Sequence, residues 1–201
     1  MPATIDYFLA PQSPWTYLGH ERFVRIAAAA GAVVRVRPVD LGGQVFPVSG
    51  GLPLAQRAPQ RQAYRLVELA RFRDALGMPL TIKPKYFPVP ADAAARLIVA
   101  VDQVDGTAAA LSLTGRVLAA VWAQERNIAD AATLAELLAE CGLPDSRLEA
   151  SHAAAVQAAY QQHTSEAIAG GVFGSPSYVV NGEIFWGQDR LELLEWRLAQ
   201  K

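Results

Sequence analysis

Two short stretches of this chain hold hydroxyls and prolines where a fold could put them to chemical use. The first is Ser13-Pro14-Trp15-Thr16, behind the apolar run Ile5-Asp6-Tyr7-Phe8-Leu9. A serine, then a proline, then an apolar periodic run is the pattern of a helix start, with Ser13 as N-cap and Pro14 at the first helical position. Read locally, that is a cap and nothing more. A helix start also presents unpaired amides and the positive end of a dipole, so it favours an anion in front of it. A thiolate held there is stabilised and nucleophilic at neutral pH. Ser13 as a covalent nucleophile would need a base. No histidine adjoins it in sequence, and only the fold can bring a distant one near. The second stretch lies far downstream: Phe173-Gly174-Ser175-Pro176, then an Asn181-Gly182 turn, then Trp186-Gly187-Gln188-Asp189-Arg190.

The elements that must position these stretches follow from periodicity and punctuation. Thr4 to Leu9 reads as a strand. Pro14 to about Ala30 reads as a helix with Phe23, Ile26, Ala27 and Ala30 on one face, ended by Gly31. Val33 to Arg37 alternates as a second strand, and this βαβ unit requires a parallel pair with a right-handed crossover. Asp40 to Pro59 is rich in glycine and proline and reads as a loop, with Phe46, Val48 and Leu54 arguing that it packs. A helical block follows: Gln60 to Leu76, Asp92 to about Val104, Thr107 as cap of a helix to about Gln124, Asp130 as cap of one to about Glu140, and Asp145 to about Ile168. Lys83 to Pro90 is extended, because its prolines exclude helix. Asn181-Gly182 between two short apolar runs is a hairpin signal. Asp189 with Glu192 resembles a capping box, and Leu191, Leu194 and Leu198 form the stripe of a terminal helix.

Composition excludes several classes. With 201 residues, 52% of them hydrophobic, the chain can bury a core and is not disordered. A net charge of -1 offers no basic surface for nucleic acid or acidic lipid. No run of about 18 apolar residues suggests a membrane span, and no basic-then-apolar leader suggests a signal peptide. The single cysteine, Cys141, excludes an internal disulfide and Cys-x-x-Cys chemistry and is expected to be a small buried residue. A cytoplasmic setting is expected. His20, His152 and His163 lie scattered on helices without metal-ligand spacing, so no metal is expected.

Strand, helix, strand, then a proline-led strand, a hairpin and a last helix is the order of a thioredoxin-like fold. On Ser13 to Leu18, Phe173 to Pro176 and Trp186 to Arg190, the chain resembles the DsbA-like family that includes 2-hydroxychromene-2-carboxylate isomerases and kappa-class glutathione transferases. The resemblance implies an α/β fold: a thioredoxin-like domain over 1–42 and 170–201, split by a helical insertion over 43–169. It puts Ser13 where redox members carry their first cysteine, and makes Pro176 a cis proline facing it. It implies glutathione as cofactor, with Ser13 as the catalytic hydroxyl donating to the thiolate. Ser175 and Pro176 would hold the cysteinyl part by strand-like pairing, and Gln188 and Asp189 the γ-glutamyl end. Arg61 would meet the glycine carboxylate where the family often has lysine, with Arg57 or Arg65 as substitutes. The asparagine that kappa members use in the preceding loop is not evident near Gly50 to Pro53. Trp15, Phe46, Tyr86 and Phe87 would line a slot for a small aromatic substrate. The implied reaction interconverts 2-hydroxychromene-2-carboxylate and trans-o-hydroxybenzylidenepyruvate by reversible thiolate addition, in aromatic-hydrocarbon catabolism, in a cytoplasmic homodimer. A kappa-like transferase or peroxidase is the alternative, and a DsbA-like peptide-binding protein without catalysis a third reading.

Overall fold

The computed structural model describes residues 2–200. β1 (Thr4–Leu9), α1 (Pro14–Ala29) and β2 (Val33–Pro38) form the expected βαβ unit, with β1 and β2 parallel. Gly31 follows α1 in the left-handed region, at φ 60. The chain then runs through a π-helical turn (Leu41–Val45), α2 (Phe46–Ser49), a 3-10 turn (Leu54–Gln56) and α3 (Pro59–Leu76). Next come α4 (Asp92–Asp105), α5 (Thr107–Trp122), α6 (Ala131–Glu140), α7 (Ser146–Ala150) and α8 (Ala154–Ala169). β3 (Ser177–Val180), β4 (Glu183–Trp186), a 3-10 turn (Gln188–Arg190) and α9 (Leu191–Ala199) complete it. The sheet order is β2-β1-β3-β4, with β3 antiparallel to both of its neighbours.

Several expectations change in detail. The stretch from Asp40 to Pro59 is not a plain loop. Asp40 caps a π-helical turn by accepting from the Gly43 N–H at 2.7 Å, while Val48 faces solvent. Thr107 opens α5 as its first residue, and Gly106 takes the cap position. The helix expected from Asp145 to Ile168 is two helices. Ser151 turns its hydroxyl onto the Leu148 carbonyl at 2.6 Å, and Ala153 is extended, at φ -62 and ψ 142. Asp189 lies inside the 3-10 turn rather than in a capping box, and α9 begins two residues later without a side-chain cap bond. Cys141 is half-buried rather than buried.

Tyr7 of β1, Phe23 of α1 and Tyr178 of β3 stack at the centre, with ring centroids 4.4 to 5.4 Å apart. The core continues without a break from these rings into Leu97, Ile98, Leu113 and Trp122 of α4 and α5. α4, α5 and α8 each pack against β2. The helical segment therefore shares one apolar core with the sheet. Two polar ties fix the start of α1 within it. The Trp122 indole donates to the Gln12 carbonyl at 3.2 Å, which holds α5 to the loop before α1. The Tyr17 hydroxyl donates to the Pro79 carbonyl at 2.6 Å, which holds α1 to the segment after α3.

Candidate functional site

α1 begins as its sequence requires. Ser13 is the N-cap, its hydroxyl accepting from the Thr16 N–H at 3.2 Å, and Pro14 follows at the first helical position. Pro14 has no N–H to satisfy, so the Trp15 amide is the first donor of the helix with no carbonyl behind it. The Ser175–Pro176 bond is cis and lies across from this helix start. The Ser13 hydroxyl donates to the Ser175 carbonyl over a long 3.3 Å. The Ser175 hydroxyl accepts from the Ala10 N–H at 2.8 Å and shares a hydrogen with the Thr16 hydroxyl at 2.9 Å. Ser13, Thr16 and Ser175 are all buried, Ser13 being 7% exposed. The Ser175 backbone N–H has no acceptor among the described residues. No histidine bonds Ser13, and His20 is committed to the core. There it is paired with the Tyr7 hydroxyl at 3.1 Å and the Leu111 carbonyl at 3.0 Å. Burial holds the His20 pKa below the usual range, which fits a neutral ring between those two partners.

Beside this junction opens a cavity of about 470 Å³. One wall comes from Trp15, another from α3 and Arg57 just ahead of it, and a third from Trp186 through Arg190. Two glycines shape the third wall. Gly187 has φ 100, and a Cβ there would lie 2.5 Å from the Asp189 carboxylate. Gly19 lets Gln188 lie against α1, since a Cβ there would come within 2.9 Å of the Gln188 Cβ. Gln188 is 2% exposed. Its side-chain and backbone oxygens both accept from the Arg22 guanidinium, the backbone one at 3.0 Å. Asp189 is exposed and paired with its neighbour Arg190 at 2.6 Å.

The cavity thus gathers Trp15, Arg61, Ser175, Gln188 and Asp189 from the residues singled out in the sequence. Ser13 does not line it, but its hydroxyl reaches the carbonyl of Ser175, which does. The remaining three aromatics do not line it. Phe46 lies under Arg57, whose guanidinium is 5.9 Å from its ring centroid. Phe87 lies under Arg65 in the same way, at 5.2 Å, and packs on Trp122. Tyr86 is covered by the Lys85 ammonium at 5.0 Å. Phe46 and Phe87 are therefore seats for two arginines that do face the cavity.

Several lining residues had no assigned role in the sequence reading. Tyr64, Phe72 and Trp186 supply apolar surface, and Phe72 meets Trp15 edge-on at 6.0 Å. Glu68 also lines it, and Arg65, named above only as a substitute for Arg61, lies deep. The spacing of four between Arg57, Arg61 and Arg65 was the available signal for a cationic wall. Burial lowers Arg57 and Arg65, and a like charge adds to it in each case, that of Arg61 on Arg57 and that of Arg57 on Arg65. Arg65 is pushed down to about 10, still charged at neutral pH.

With that geometry in view, comparisons with known proteins converge. The sequence model of the DSBA-like thioredoxin domain family matches residues 4–199. A 2-hydroxychromene-2-carboxylate isomerase of Sphingobium xenophagum is 26% identical over 196 residues, 97% of each chain. Glutathione S-transferase kappa 1 of Rattus norvegicus is 23% identical over 212 residues, 100% of this chain and 92% of that one. The solved structure of a 2-hydroxychromene-2-carboxylate isomerase superposes with a TM-score of 0.80 at 24% identity. It covers 98% of this chain and 95% of that one.

Proposed function

The chain belongs to the DSBA-like thioredoxin domain family. From that premise we propose that it is a glutathione-dependent isomerase interconverting 2-hydroxychromene-2-carboxylate and trans-o-hydroxybenzylidenepyruvate. The observation that carries the reading is a buried cluster of hydroxyls at a helix start, Ser13 with Thr16 and Ser175. It stands beside a cavity with arginines on one wall and a carboxylate on another.

The residues present suit glutathione, which carries one ammonium and two carboxylates. Asp189 suits the ammonium, and Arg61 with Arg57 beside it suits the glycine carboxylate. The free Ser175 N–H and its carbonyl suit strand-like pairing with the cysteinyl unit. The Arg22 grip on Gln188 leaves the NH₂ end of that amide as the part able to serve a ligand. When bound, glutathione would supply a thiolate, the nucleophile for reversible addition to a conjugated double bond. Ser13 contributes a hydroxyl hydrogen whose present bond to Ser175 is long and hence readily redirected. The Trp15 amide and the helix dipole add to the stabilisation of negative charge in front of α1. Trp15, Phe72 and Trp186 offer flat surface for an aromatic ring and limit water. The same reading makes the protein a cytoplasmic homodimer, which light scattering after size exclusion checks.

A kappa-type transferase is the second reading, favoured by the similarity to the rat protein along the whole chain. One experiment separates the two. The purified protein is given the chromene acid with and without glutathione, and both the isomer ratio and the free thiol are followed. The expected result is isomerisation only with glutathione and no net loss of thiol. Ser13→Ala slows turnover by about ten- to a hundredfold, the worth of a hydrogen bond to a charged sulfur. Equal rates without glutathione would sink the cofactor. Thiol consumed in step with substrate would make the protein a transferase.

A further inference from the structure

Arg65 is 8% exposed, yet it has no hydrogen-bond or ion-pair partner among the described residues. Glu68 on the same wall is not within ion-pair distance of it. Elsewhere in the chain, half-buried arginines are engaged. Arg22 holds Gln188, and Arg147 holds both oxygens of Asp105 at 2.7 and 2.8 Å. Arg65 instead rests on two aromatic faces, Phe87 at 5.2 Å and Trp122 at 5.7 Å. Those faces offset part of the cost of burying a cation and leave the edge of the guanidinium free. Arg65 is part of the cavity wall, where Tyr64, Phe72, Trp15 and Trp186 supply aromatic surface. A planar fork of donors, largely buried and without an anion among the described residues, matches a carboxylate bidentately.

We propose that Arg65 is a substrate-anion subsite, receiving the carboxylate of a planar aromatic acid whose ring lies against the aromatic walls of the cavity. The identity of the natural acid rests on the isomerase reading above, but the subsite itself rests only on Arg65 and its surroundings. Arg61 and Arg57 are the more exposed cations of the same wall and remain for the glutathione carboxylate. Arg65 then acts as a specificity-determining residue, because a neutral analogue would leave its guanidinium buried and unpaired.

The test uses trans-cinnamate and its neutral amide as probes, titrated into the purified protein by tryptophan fluorescence and calorimetry. The acid is expected to bind at least about tenfold more tightly than the amide, as a charge-assisted pair requires. Arg65→Met removes that preference, and Arg65→Lys keeps a reduced part of it, since the charge stays but the fork is lost. Equal binding of acid and amide to the wild-type protein overturns the proposal without reference to any variant. So does a preference that survives intact in a folded Arg65→Met protein. Glutathione is titrated separately into the same proteins. If Arg65→Met loses glutathione but keeps the acid preference, Arg65 belongs to glutathione and the proposal falls. If glutathione fails to bind while the acid preference depends on Arg65, the subsite stands and the glutathione reading falls.

Discussion

Two clefts in this molecule each set an arginine over a phenylalanine ring, and they differ in one respect. In the smaller, about 290 Å³, Arg37 lies 5.9 Å from the centroid of Phe8. Its guanidinium takes Asp6 and Glu166, each at 2.6 Å, and Arg35 closes the network on Asp6. In the larger, Arg65 lies over Phe87 with no carboxylate in ion-pair reach among the described residues. The chain supplies the counter-ions of the first cation and omits those of the second. A charge neutralised within the chain serves the fold. One left desolvated and unpaired lowers stability, and an anion arriving from outside offsets that cost.

The largest expected effect breaks this comparison if it is wrong. Arg37→Met takes the cation from Glu166 and leaves Asp6 with the exposed Arg35 alone, where Arg37 and Asp6 side chains are only 14% and 17% exposed. The loss in urea unfolding is expected to be on the order of 2–3 kcal/mol, below the cost of a fully buried pair because Glu166 is half in water. Arg65→Met strands nothing, and methionine packs on Phe87 and Trp122. Its stability is expected to stay within about 1 kcal/mol of wild type, or to rise. Equal losses in the two variants would mean that Arg65 is as structural as Arg37.

A smaller effect comes from the histidine beside the first cleft. Burial, and after it the charge of Arg37, hold His163 down to about 4, and its Nδ1 has no partner among the described residues. The unfolded ring has a pKa of about 6.5. Between these values the unfolded chain binds a proton that the native state refuses, so stability falls as the pH drops through 6.5 and the loss is complete near 4. Allowing for solvent at this partly exposed ring, about 1–2 kcal/mol is expected. Urea midpoints of wild type and His163→Gln across that range check it. His20 adds loss of the same sign in both proteins, so the difference between the curves isolates His163. Superimposable curves would show that the ring does not feel the Arg37 network.

The frame was readable in the sequence because it rests on local chemistry. Ser13-Pro14 could do little but start a helix, and Asn181-Gly182 supplied the positive φ angles, 51 and 82, of a tight hairpin. The break at Ser151 to Ala153 carried no glycine or proline, because a buried hydroxyl bond makes it. The site was readable as far as its backbone motifs reached. Ser175 and Asp189 came with their stretches, whereas Phe46 and Phe87 were sorted by the packing of the helical segment. An aromatic residue in a sequence does not say whether it will line a cavity or carry the arginine that does. Nor does a row of arginines say which of them keeps a counter-ion.

The last and smallest expected effect sharpens the comparison within the larger cleft. Its charges are graded by depth: Arg61 and Asp189 are exposed, and Arg65 is buried. Asp189 is now paired with Arg190, both about half in water, so that bond is weak and a ligand ammonium can replace it at little cost. Asp189→Asn and Arg61→Met are each expected to weaken glutathione binding by about three- to tenfold, the low end for a charge-assisted contact because solvent competes. Asparagine keeps the shape of the turn, so the change reads the charge alone. Salt separates the two depths. Raising ionic strength from about 0.01 to 1 M shortens the screening length from roughly 30 to 3 Å. Wild-type affinity for glutathione should then fall toward that of the variants, while the preference of Arg65 for an acid over its amide persists. Glutathione affinity indifferent to both substitutions and to salt would move its charged ends away from Arg61 and Asp189. An acid preference erased by salt would put Arg65 in water, where the contrast with Arg37 has no force.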